Sequence, residues 1–459
     1  MKLSILYLAA AGLFARSSNA IDLNPDDPES IKSATKIVAA GLREYYTGDR
    51  PGDNPGNLPD PYYWWEAGAM FSALIDYWYF TGDDTYNAIT TQAMEHQTGD
   101  NNAYMPLNQT STLGNDDQAF WGMAAMTAAE NKFPDSEMEG KPSWLALAQA
   151  VFNTQMARWH NDTCGGGLKW QIYYFNRGYD YKNTISNGAF FNIGARLAKY
   201  TGNSSYAEWA ERAWEWQRSV GLISDSYAFY DGSSDKLNCT ELDHTQWTYN
   251  NGVHLAGAAA MWNYSETEGN AEQAGIWRER LTRIINATDV FFHPDAQVLY
   301  EVACERNGKC DVDQRSFKSY LSRWMGYAMQ TAPWTRDLLM DGLRRSAVAA
   351  AKQCSVGEDQ QCGLRWWLPN GENDGEHGVG EQMSALEVMQ NLLVTQVSGP
   401  AGLNSGALSQ PDYNAGADST DDLPPPDALS TGDRVGAGIL TALVLGLTLG
   451  GAWWLITGA

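Results

Sequence analysis

Apolar residues recur at three- and four-residue spacing along most of the chain, the period of helices that turn one face inward. Two kinds of helical segment alternate. Six of them open with polar or aromatic residues and run on into apolar stretches rich in small side chains, at residues 62–70, 115–123, 186–191, 249–254, 316–321 and 378–383. Gly68, Gly122, Gly194 and Gly257 cost helix propensity in these stretches, which suits helices crowded on both sides. Six further stretches, beginning near Glu29, Asp84, Pro142, Tyr206, Glu272 and Arg336, carry more charge. In one of them Glu208, Glu211, Arg212 and Glu215 lie among Trp209, Ala213, Trp214 and Trp216, the mixture expected of a helix with one wet face. A shared Thr-Gly turn at Gly48, Gly82 and Gly202 predicts a helix C-terminus at each, with the following Asp or Asn capping the next helix.

Self-similarity at about 40–70 residues implies stacked helical hairpins rather than a string of domains. Twelve alternating helices, six buried and six half-wet, predict an all-α (α/α)6 barrel. An open array of hairpins is the alternative. In the closed ring the inner helices run parallel and their N-terminal ends gather on one face. Residues 163–175, with three consecutive glycines from Gly165 and then Trp170, interrupt the helical pattern and read as a loop or short hairpin on that rim.

The two ends of the chain read differently. Residues 1–20 read as a secretory signal peptide: Lys2, an apolar run, then small residues. The barrel is assigned to residues 21–397, and residues 398–434 form a polar linker rich in Pro, Gly, Ser and Asp. Residues 435–459 carry no charge, which predicts a GPI-attachment signal, with attachment between Asp418 and Asp421, or alternatively at Asn414 or Asp427. A membrane-spanning helix is the competing reading, although one normally keeps Lys or Arg beyond it. N-glycosylation sequons at Asn108, Asn161, Asn203, Asn238, Asn263 and Asn286 fit a secreted surface. Six cysteines allow fifteen pairings. Short loops favour Cys304 with Cys310 and Cys354 with Cys362, leaving Cys164 with Cys239.

Composition narrows the chemistry. A formal charge of −24 argues against nucleic acid, whose phosphates it would repel. With it come 19 Trp and 23 Tyr, a surplus of rings that suits a neutral ligand with apolar faces, and carbohydrate is the obvious one. Neither a CxxC nor an HExxH pattern occurs, so no metal or cofactor is expected, and the chain is expected to act as a monomer.

Of the six inner-helix openings only one carries adjacent carboxylates, Asp116 and Asp117. Glycoside hydrolysis needs two carboxyl groups, and neighbours at a helix start can stand about 5–6 Å apart, which matches the ~5–5.5 Å of retaining enzymes. Acids in a first helical turn are also favoured by capping and the helix dipole, so the pair alone does not decide. Its setting adds weight, because aromatic and amide side chains converge on the same face. The candidate sugar-binding residues are Trp65, Asn115, Trp121, Trp170, Asn187, Tyr249 and Asn250. Each could instead pack or cap. Glu66 and Glu381 read as caps or as supports behind the residues that touch sugar, and His254 and His377 as structural.

The mature chain resembles glycoside hydrolase family 76, the endo-α-1,6-mannanases, and within it the fungal GPI-anchored branch of cell-wall assembly. The resemblance is carried by residues 63–68, 114–121, 166–170, 184–188 and 247–252. It implies the (α/α)6 barrel, Asp116 as a nucleophile that forms a glycosyl-enzyme, and Asp117 as acid and then base. It also implies an α-mannoside of a GPI glycan or mannan as substrate, with β-glucan as acceptor in a transglycosidase. The membrane would be reached through the GPI anchor. A mannan-binding wall protein without turnover, and another (α/α)6 glycosidase, are the alternatives.

Overall fold

Helices rich in small side chains can approach until ring and backbone touch, and six of them do so here. In the computed structural model, which describes residues 20–136, 140–357, 360–406, 408–417 and 431–458, these are the inner helices. They are α2 (Trp64–Thr81), α4 (Asn115–Glu130), α6 (Thr184–Thr201), α8 (Thr248–Thr267), α10 (Val312–Thr331) and α12 (Val379–Gln390). Each packs on the next, and α12 returns to α2, so the ring closes. The outer helices are α1 (Pro28–Arg43), α3 (Asn87–His96), α5 (Trp144–Ala157), α7 (Ser204–Ser219), α9 (Ala271–Ala287) and α11 (Arg336–Gln353). The (α/α)6 barrel expected from the alternation is therefore the fold.

Local chemistry explains the two rings. Nearly all of α6 is buried, whereas α7 buries Tyr206, Ala210, Ala213 and Trp214 and turns Glu208 and Glu215 to water. A Cβ built on Gly68 would stand 2.8 Å from the Trp121 ring, and one on Gly257 would stand 2.3 Å from Phe191. Gly82 and Gly202 end α2 and α6 in the left-handed conformation, with φ of 79° and 72°. Gly48 does not act this way: α1 stops at Arg43, capped by Glu44. Asn203 caps α7 by accepting from the Ser205 N–H.

The six cysteines form three disulfides, Cys164–Cys239, Cys304–Cys310 and Cys354–Cys362. On the rim, three short antiparallel strands, β1 (Tyr181–Asn183), β2 (Gly232–Ser234) and β3 (Leu242–Asp243), pair in chain order, and β1 runs straight into α6. Residues 163–175 form no strand; they cross the rim as a loop held by the bridge between Gly114 and Gln171.

The ends of the inner helices form a closed floor. Arg196 donates to Glu130 (2.7 Å) and to Thr127 (2.9 Å), the Tyr327 hydroxyl donates to Glu130 (2.8 Å), and Lys199 pairs with Glu130 at 3.2 Å. Arg323 lies between Asp76 (3.2 Å) and Glu387. Residues 398–406 and 408–417, whose composition marks them as linker, are laid on this floor and then along α5. Ala401 is buried, and its carbonyl accepts from Lys199 at 2.7 Å. The Asp412 N–H donates to Gln149, and Asn153 donates to the carbonyls of Tyr413 and Ala415.

The chain from residue 420 is a separate unit, described as helix α13 (Thr431–Thr457) with Ile439, Leu443 and Leu447 exposed. The signal-peptide reading, apart from Ala20, and the attachment positions Asp418, Asp421 and Asp427 lie outside the described residues.

Candidate active site

Because the inner helices are parallel, their first turns share one mouth, and a two-lobed cleft opens there. The smaller lobe is about 240 Å³ and the larger about 570 Å³. Trp65, Asp117, Trp170 and Asp313 line both, and so mark the seam between them. Asp116 lines the smaller lobe alone, beside Asn183, Tyr181, Asp231 and Tyr249.

The acid pair is set by the start of α4. Gly114 is the residue before that helix, and its N–H donates to Asp117 Oδ2 at 2.8 Å. Asp116 Oδ1 accepts from the Asp117 N–H at 3.0 Å, and Asp116 Oδ2 from Asn183 Nδ2 at 3.4 Å. A Cβ on Gly114 would stand 2.2 Å from Asp116 Oδ1, so only glycine leaves room for this arrangement. The Gly114 position is held from outside: the Asn115 N–H donates to the Trp170 carbonyl at 2.8 Å, and the Ile172 N–H to the Leu113 carbonyl.

Electrostatics make the pair unusual. Burial, and then the charge of Asp117, raise the Asp116 carboxyl well above its ordinary value, against the donors that favour its anion. Burial pushes Asp117 up to about 7, opposed by the Gly114 N–H and reinforced by Asp313. Two such neighbours do not both ionise readily, so near neutrality one proton stays on the pair. Among the described residues, none of Asp116, Asp117, Asp231 and Asp313 forms an ion pair. No group of three or more His, Cys, Asp or Glu side chains among them is disposed to hold a metal ion.

Rings form the walls. The Trp65 ring packs on Phe120 (4.6 Å between centroids) and Tyr320 (5.9 Å), and its Nε1 donates to Asp313 Oδ1 at 3.1 Å. Tyr249 stacks on Phe317 at 3.9 Å and 12°. Trp170 lies over Gly178, whose φ of 96° and missing Cβ let the ring down onto the backbone. Asp231 accepts from the Tyr181 hydroxyl (2.7 Å) and from Trp247 Nε1 (2.9 Å). Burial raises its carboxyl too.

Of the residues singled out from the sequence, Asp116, Asp117, Trp65, Trp170 and Tyr249 meet in the cleft. The other four line neither lobe. Asn115 is 2% exposed, donating to the Lys169 carbonyl and accepting from Arg158. Trp121 is fully buried, sandwiched between Trp64 (5.2 Å) and Tyr104 (5.5 Å). Asn187 is spent on the rim loop, pairing with both the N–H and the carbonyl of Leu168. Asn250 is buried in the α8 packing. His254 is structural, with Nδ1 2.7 Å from the Asn250 carbonyl. Glu66 caps the start of α2 from the Tyr63 N–H, while Glu381 pairs with Arg315. The cleft residues that pattern reading missed are Asn183, Asp231 and Asp313. Of these, Asp313 carried a faint signal as a second acid in an inner-helix opening.

Comparison with known proteins finds relatives over most of the chain. Residues 30–404 match the model of glycosyl hydrolase family 76. The mannan endo-1,6-alpha-mannosidase DCW1 of Saccharomyces cerevisiae is 48% identical over 448 residues, covering 97% of each chain. The mannan endo-1,6-alpha-mannosidase DFG5 of the same yeast is 44% identical over 448 residues, covering 96% of each. The crystal structure of Dfg5 from Chaetomium thermophilum in complex with glucosamine has a TM-score of 0.81 and 43% identity, covering 86% of this chain and 98% of that one.

Proposed function

This chain belongs to glycosyl hydrolase family 76, and from that premise we propose that it is a retaining endo-α-1,6-mannosidase working through Asp116 and Asp117. The observation that carries the proposal is the seam. Asp116 faces one lobe, Asp117 faces both, and no cation among the described residues pairs with either.

The chemistry follows from those positions. A mannose ring in the smaller lobe has C1 over Asp116, and the glycosidic oxygen lies at the seam. The Asp116 carboxylate, which accepts from two donors, attacks C1 as the C1–O bond breaks. Asp117, which accepts from one, gives its proton to the departing oxygen in the larger lobe. In the second step Asp117 takes a proton from the hydroxyl that attacks C1, and Asp116 is released with the original configuration restored. When that hydroxyl belongs to water the outcome is hydrolysis. When it belongs to a glycan in the larger lobe, such as a β-glucan, the outcome is transfer, and the 570 Å³ of that lobe supports a bulky acceptor.

The expected substrate is an α-mannoside of mannan or of a GPI glycan. Secretion is supported by the three disulfides and the sequons. Anchoring through a GPI group is supported by the uncharged run at residues 435–459. The test is to incubate the enzyme with a 5-fluoromannosyl fluoride and map the labelled peptide. Label on Asp116, with turnover of α-1,6-mannotriose by untreated enzyme, is expected. Label on neither aspartate, or no turnover of any α-1,6-mannoside, would sink the reading.

A further inference from the structure

Asp313 is the second residue of α10 and one of the four residues shared by the two lobes. One of its oxygens accepts from Trp65 Nε1 at 3.1 Å, and the carboxyl has no other donor and no cation among the described residues. Capping of α10 is done by Asp311, which accepts from the Gln314 N–H, so the helix does not need Asp313 for that purpose. An acid held by an indole in a ring-lined cleft, and not used to cap its helix, is a costly thing to keep.

We propose that Asp313 is a positioning residue of the reaction: its charge across the seam keeps the proton on Asp117 in the resting enzyme, and its bond to Trp65 fixes the ring against which the sugar lies. The proposal rests on the glycosidase reading of the same cleft. A general acid must start protonated and finish ionised, so it is best served by a neighbour that is negative first. Burial, and then Asp311, push the Asp313 carboxyl up to about 6, and the charge of Asp313 adds to the burial that raises Asp117. The groups that face Asp117 are Asp116 on its own helix and Asp313 from α10. Those that face Asp313 are Asp311, which caps α10, Glu66 and Tyr63 at the start of α2, Tyr320 deeper in α10, and Tyr249 from α8. Asp60 and Arg177 line the larger lobe beyond them, and Asp231 the smaller.

The test is the pH profile of kcat/KM for Asp313→Asn and Asp313→Glu on α-1,6-mannotriose and on 2,4-dinitrophenyl α-mannoside, whose leaving group needs no proton. Asp313→Asn is expected to move the alkaline limb down by about half a pH unit or more, a loss of about threefold above that limb. The loss on the dinitrophenyl substrate is expected to be smaller by at least about threefold. Asp313→Glu restores the limb. A limb that stays in place, or equal losses on both substrates, overturns the proposal. Should Asp313→Asn not fold, Trp65→Phe removes the donor that favours the Asp313 anion and moves the limb the same way by less. An unmoved limb there is equally fatal. Wild-type enzyme without turnover fails the glycosidase reading; active wild type with an unmoved limb fails this proposal alone.

Discussion

The starts and the ends of the inner helices both bury acids, but they give them different neighbours. At the floor Asp76, Glu130 and Glu387 meet Arg196, Lys199 and Arg323, and each acid touches a cation. At the mouth Asp116, Asp117, Asp231 and Asp313 meet backbone N–H groups, amides, a phenol and indoles. Burial pushes acids up at both ends, Asp76 to about 7 even with Arg323 beside it. What differs is the remedy. Pairing at the floor fixes the charge and closes the ring, whereas hydrogen bonds at the mouth leave protons free to move. Buried charge therefore marks reactivity only where its counter-charge is missing.

The contrast can be broken in graded steps. Asp116→Ala should lower kcat on α-1,6-mannotriose by about 10⁴-fold or more, with ligand affinity held within about tenfold by isothermal titration of the sugar. An effect of that size at the floor would erase the distinction. There Arg323→Met leaves Asp76 and Glu387 sharing a buried site without their cation, and should cost about 3–5 kcal/mol in urea denaturation. Gly114→Ala tests the geometry of the mouth without touching its charges. The new methyl displaces Asp116, and kcat/KM should fall about 100-fold while the melting temperature changes little.

The smallest effect has the opposite sign. A carboxyl raised from about 4 to about 7 on folding binds its proton more tightly in the folded chain, so stability declines as pH rises between those values. Asp117→Asn removes that decline at one position. The variant should be more stable than wild type by about 1–2 kcal/mol at pH 8, with the advantage vanishing near pH 4. Urea melts at both pH values read it, and a variant less stable at pH 8 would place Asp117 among the structural acids.

The ring of helices and the acid pair could be read from the chain because both are written in spacing and adjacency. Phase was harder. Successive residues of a helix point about 100° apart, so at an inner-helix start some residues face the cleft and others face the packing. Asp116 and Tyr249 fall on the open side, and Asn115 and Asn250 on the closed one. Trp121 lies one turn deeper than the acids, where Gly68 makes room for it, and a ring in that place packs rather than binds. Asn187 looked like a sugar ligand because amides often are, but it ties down the rim loop from inside α6. Asp231 sits just before a strand and gave no pattern at all, and Asp313 looked like any acid in a first helical turn.

The segment from Ser398 to Ala417 also has a mechanical meaning. It lies on the barrel by separate contacts in series, at Lys199, then Gln149, then Asn153. Tension applied at Ala417 would meet those contacts one at a time, Asn153 on the outer helix α5 first and Lys199 on the inner helix α6 last. Under such a load the segment is a fuse, giving way bond by bond.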